Sequence, residues 1–67
     1  MNANLLKGKI VAAGMTQYEL ADKLGISRNT MTSRLSGRSS FTLEEVKLIC
    51  QLLPISDNAE KVDIFLS

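Results

Sequence analysis

Residues 17–36, QYELADKLGISRNTMTSRLS, carry two short helical patterns that meet at a tight turn. In the first, Leu20, Ala21 and Leu24 recur at helical spacing and form one apolar stripe that stops at Gly25. Thr16 stands just before it with Glu19 three residues on. At that spacing a hydroxyl and a carboxylate each satisfy a backbone N–H at a helix start. The spacing predicts a helix of about eight residues. Gly25 permits a positive φ that a β-carbon would oppose by about 1 to 2 kcal/mol, and Ala21 is small where the next helix must pass close. Ile26 is a lone apolar residue in the connection. Ser27 then makes a good N-cap for a helix from Arg28 to Ser36, closed by Gly37.

That second helix is polar almost all round. Met31 and Leu35, one turn apart, are its only large apolar residues, so it rests on the core by a narrow edge while Asn29, Thr30, Thr32, Ser33 and Ser36 point elsewhere. Leu20, Leu24, Ile26 and Met31 lock the two helices together and leave the second standing proud of the body. Its hydroxyl, amide and guanidinium groups are the types that meet base edges in a DNA major groove. The plainer alternative is an ordinary helical hairpin whose polar face is merely wet.

Outward from this pair the same period continues. Leu6, Ile10 and Ala13 predict a first helix from about Asn4 to Ala13, with Gly14 after it. After the loop RSSF, Thr42 and Glu45 repeat the capping-box spacing ahead of Leu43, Val46, Ile49, Cys50 and Leu53, a helical stripe that ends before Pro54. Asp57 and Glu60 give the spacing a third time, followed by Val62, Phe65 and Leu66. A short fifth helix is expected there, although the alternation Val62, Ile64, Leu66 also fits a strand across 59–66. With no repeats, low-complexity tracts or linkers, residues 1–67 are expected to form one compact all-α domain with the two central helices at its working surface.

Composition supports a folded domain and excludes several functions. Sixty-seven residues build one core worth a few kcal/mol net, with no room for an effector-sensing domain, so no small-molecule ligand is expected. The chain is 45% hydrophobic and 22% charged with one proline, which is wrong for disorder, and its 4% aromatic content leaves the core to aliphatic side chains. One cysteine and no histidine rule out an internal disulfide, leave a metal site short of ligands, and imply neither cofactor nor enzyme. Cys50 lies on the fourth helix's apolar stripe and reads as a buried thiol rather than a nucleophile. Glu44 and Glu45 read as first-turn helix charges. The opening MNANLLKGKIVAAGMTQ has lysines inside a short apolar stretch, which fits neither a signal peptide nor a membrane span, so a reducing cytoplasm is the expected location.

The net charge is only +1, but it is unevenly placed. Residues 1–42 carry Lys7, Lys9, Lys23, Arg28, Arg34 and Arg38 against Glu19 and Asp22, a net +4, and the remainder carries Lys47 and Lys61 against five carboxylates, a net −3. A domain with one basic and one acidic end can turn the basic end to phosphate. Chance scatter of solvated charges is the alternative.

TQYELADKLGISRNTM, followed by SG and then FTLEEVKLI, resembles the Cro/CI family of phage repressor-like helix-turn-helix domains over about residues 5–55, and within it the small prophage and plasmid regulators. The resemblance implies a five-helix, lambda-repressor-like fold and a sequence-specific transcriptional regulator that binds double-stranded DNA, as a homodimer on a two-fold operator, in a bacterial or phage-infected cell. By position it implies that Arg28, Asn29, Thr32 and Ser33 face bases, with Arg28 suited to guanine and Asn29 to adenine. Gln17 matches the residue that binds a phosphate and buttresses the recognition helix. Thr16, Arg38, Ser39, Ser40 and the N–H groups at the starts of the second and fourth helices would hold further phosphates. Tyr18, beside the buried stripe, either packs or reaches a phosphate. The chain departs from the family pattern at Arg34, where an apolar residue is usual. Here that residue comes one place later, at Leu35, which rotates the far end of the helix and removes Arg34 and Ser36 from the firm contacts. A protein-interaction module such as an antitoxin or antirepressor is the alternative function. Ile55, Ile64 and Leu66, apolar residues beyond the evident needs of the core, are the expected dimer surface.

Overall fold

The computed structural model describes residues 1–55 and 57–66. They form α1 (Ala3–Ala12), α2 (Gln17–Leu24), α3 (Arg28–Ser36), α4 (Leu43–Leu52) and α5 (Asn58–Phe65), with no strand among them. The strand reading of 59–66 is therefore overturned. Asp57 caps α5 by accepting from the Glu60 N–H at 2.7 Å, and Ile64 lies in the core at helical register with the rest of the segment.

Each helix begins where a short polar side chain replaces the missing acceptor. Asn2 caps α1 and Ser27 caps α3, each accepting from the N–H three residues on. Thr16 and Thr42 close both halves of a capping box with Glu19 and Glu45. The box expected at Asp57 is only half made. Glu60 turns away to accept from Lys9 Nζ at 2.9 Å, fastening α5 to α1. The α2–α3 turn depends on Gly25 at φ 72°, in the left-handed region, and beyond its chain neighbours no heavy atom stands within 4 Å of where its β-carbon would be. Backbone conformation alone selects glycine there.

The buried apolar residues form one cluster: Leu6 and Ile10 from α1, Leu20 and Ala21 from α2, Met31 and Leu35 from α3, Ile49 and Leu53 at α4, then Ile55 and Ile64. The narrow edge of α3 is as expected, and Ala21 is fully buried beneath it. Three stripe residues are not in the core. Leu43, Val62 and Leu66 remain 69%, 49% and 78% exposed. The expected dimer surface is corrected in the opposite sense, because Ile55 and Ile64 are buried. After Pro54 the chain folds back, with the Ile55 N–H donating to the Leu53 carbonyl at 2.7 Å, and the Ile64 carbonyl accepts from the Asn2 N–H at 2.7 Å. Only Leu66 of that trio faces outward. Cys50 is half-buried against the core rather than fully enclosed.

Candidate nucleic-acid interface

The first turn of α3 presents its side chains freely because Ser27 manages the helix start by itself. The Ser27 hydroxyl accepts from the Thr30 N–H and donates to Thr30 Oγ1, both at 3.0 Å. Arg28, Asn29 and Thr32 are then exposed, while Ser33 is half-buried. The four expected base-facing residues thus divide. Three lie open on the helix surface, and the Ser33 hydroxyl shares a 3.0 Å hydrogen bond with that of Ser39.

Ser39 belongs to the loop after α3, which folds onto the helix end. The Ser33 carbonyl accepts from the Arg38 N–H at 3.1 Å, the Ser39 N–H at 3.3 Å and the Ser36 hydroxyl at 3.1 Å. The Arg38 and Ser39 N–H groups are thus spent inside the protein, while the Arg38 and Ser40 residues are exposed. Arg38 Nε donates to Ser36 Oγ at 3.3 Å.

Arg34 explains the departure seen in the sequence. Leu35 takes the core position and Arg34 turns toward α4, donating from Nε and a terminal nitrogen to the two Glu45 carboxylate oxygens at 2.9 and 3.3 Å. Its other terminal nitrogen donates to Ser39 Oγ at 2.9 Å. The Arg34 hydrogen bonds hold the Glu45 carboxyl below its ordinary pKa, helped by the Thr42 N–H and opposed by burial. Glu45 is therefore more than a first-turn charge. It caps α4 and anchors α3 to it. A signal for this was present, since Glu45 falls one turn before Ile49 on the buried line of α4, and a charge there requires a partner.

At the start of α2, the Thr16 hydroxyl accepts from the Glu19 N–H and keeps its own hydrogen for a further acceptor. The N–H groups of Gln17 and Tyr18, at the first two helical positions, have no intrahelical acceptor. This makes the α2 start a fit for phosphate. One carboxylate, Glu19, stands in that first turn, whereas the α4 start carries two, Glu44 and Glu45, and is less suited. Gln17 is half-buried. Tyr18 touches α3, with the Arg28 guanidinium 4.5 Å over its ring centroid. Sequence reading missed this contact.

Two cations of the basic half are thereby neutralised, Lys9 by Glu60 and Arg34 by Glu45. Arg28 stands at one end of α3 and Arg38 just past the other, a helix length of about 13 Å apart. No group of three or more possible metal ligands occurs among the described residues, and no helix among them is long and apolar enough to cross a membrane. Residues 6–58 match a family model described as helix-turn-helix. No curated protein and no solved structure matches the chain.

Proposed function

The chain belongs to the helix-turn-helix family of Cro/CI type, a DNA-binding family made up mostly of transcriptional regulators, and from that premise we propose that it is a sequence-specific repressor-like regulator of a two-fold operator. The observation that carries the reading is α3 itself, a helix that buries only Met31 and Leu35, with Arg28, Asn29 and Thr32 exposed along it. Inserted in a major groove, Arg28 offers paired N–H donors to guanine, Asn29 offers a donor and an acceptor to adenine, and Thr32 offers a methyl and a hydroxyl. Thr16, Gln17, Arg38 and Ser40 grip phosphates on either side. Ser33 and Ser39 act chiefly on each other, stiffening the loop that presents Arg38.

The operator is bound by a homodimer, in the cytoplasm where bacterial DNA lies, and residues 1–67 serve as one DNA-binding domain. The surface best suited to a second copy is an apolar groove between the α3 end and α5, where Leu43, Val46, Val62, Phe65 and Leu66 line a continuous face. The end of α3 and the loop after it form one wall of this groove, so a contact between copies there adjoins α3. Repression is by occupancy. No step in this reading requires catalysis, a cofactor or a small-molecule ligand.

Selection of bound duplexes from a random pool tests the proposal. Enrichment of a two-fold repeated motif is the expected result, and recovery of a pool without any motif would count decisively against operator recognition.

A further inference from the structure

Arg28 is the first residue of α3 and Tyr18 the second of α2, and both are exposed. An arginine at an exposed helix start is ordinarily free to sample many rotamers, and fixing it on a base costs that freedom. Here the guanidinium already lies over a ring, 4.5 Å from its centroid. Stacking occupies the flat face of a guanidinium, whereas recognition of guanine uses its N–H edge. The two interactions use different parts of one group and do not compete. Exclusion of water as DNA closes on the site strengthens the stacking.

We propose that Tyr18 is a positioning residue for base recognition, its ring holding the Arg28 guanidinium so that the N–H edge meets the paired acceptors of a guanine. The proposal rests on the base-reading role assigned to Arg28 above. It gives Tyr18 a definite part in binding, through the π face and not through the hydroxyl. Specificity at one base position then depends on a pair of side chains drawn from two helices.

The test compares affinity for the selected operator with affinity for a scrambled duplex, and measures a thermal melt for each variant. Tyr18→Leu keeps apolar bulk but has no π face, and should lower operator affinity about two- to thirty-fold per half-site while leaving scrambled-duplex affinity and the salt dependence unchanged. Tyr18→Phe should retain wild-type discrimination. Tyr18→Leu added to Arg28→Ala should cost nothing further. Because the chain has one tyrosine and no tryptophan, Arg28→Ala should also shift the tyrosine emission of the free protein. If Arg28→Ala destroys discrimination and Tyr18→Leu does not, the positioning role is wrong and the base-reading role stands. Equal losses in Tyr18→Phe and Tyr18→Leu would make the hydroxyl the contact and overturn the proposal. If Arg28→Ala itself leaves discrimination intact, the underlying reading fails instead.

Discussion

At the scale of residues, side chains proposed to read bases and side chains proposed to grip phosphate have different signatures in binding. Arg28 and Asn29 lie open on the first turn of α3. Replacing either by alanine should cost about 1 to 3 kcal/mol per half-site on the preferred operator and much less on random DNA. Arg38 lies beyond the helix end, so Arg38→Ala should weaken all sequences alike and make the salt dependence shallower by about one per subunit. Titrations of these variants on operator and scrambled duplexes distinguish the two classes, and an Arg38 variant that changed base preference would reverse its assignment. Helical period sets Asn29 and Thr32 off the line of Met31 and Leu35, whereas Arg28, three residues before Met31, falls beside that line and was assigned only through the family resemblance. What was not legible is which side chains meet across helices. Period fixes the faces of one helix but not the rotation of two helices against each other. The pairs Tyr18 with Arg28, Ser33 with Ser39 and Lys9 with Glu60 therefore emerge only in three dimensions.

At the scale of elements, the tie between α3 and α4 matters most. Arg34 binds both Glu45 oxygens and Ser39 at once, which joins α3, the loop and the α4 cap into one unit. Arg34→Gln removes a charged partner from a carboxylate whose side chain is 10% exposed, and should destabilise the fold by about 1.5 to 3 kcal/mol at neutral pH. Because Arg34 makes no phosphate contact in this account, the variant should leave the salt dependence of DNA binding unchanged. The pH dependence follows from Glu45, whose folded pKa lies below its ordinary value of 4.5. A depressed carboxyl contributes stability that is full above the unfolded value and is lost as pH falls through the folded one. Wild-type melting temperature should accordingly fall with acidification below about pH 4.5, and Glu45→Gln should flatten that fall. A Glu45→Gln protein with the wild-type acid profile would contradict the assignment. Helix bounds were readable from caps and glycines to within a residue or so. The path after Pro54 was not, since one lone Ile55 gives no period from which to read that the chain turns back and buries it.

At the scale of the whole molecule, the protein is a small body measuring 29 × 24 × 20 Å with a basic N-terminal part that carries α3 and an acidic C-terminal part. The burial of Ile55 and Ile64 moves the expected dimer contact to Leu43, Val62 and Leu66, which are among the exposed apolar side chains and line the groove beside α5. Leu66→Asp should then weaken dimerisation in sedimentation without lowering the melting temperature of the monomer, and should reduce operator affinity more than scrambled-duplex affinity. Unchanged sedimentation would exclude that face. The central claim, that this fold reads operator DNA through α3, is tested most directly by titrating the wild-type chain onto the selected operator and a scrambled duplex of equal length across a range of salt concentrations. The account predicts operator binding at least about 10³-fold tighter than scrambled binding at physiological salt, with log affinity falling against log salt at a slope of −3 or steeper per dimer, since a few arginines and lysines displace counterions. Equal affinity for the two duplexes, or a flat salt dependence, would contradict it.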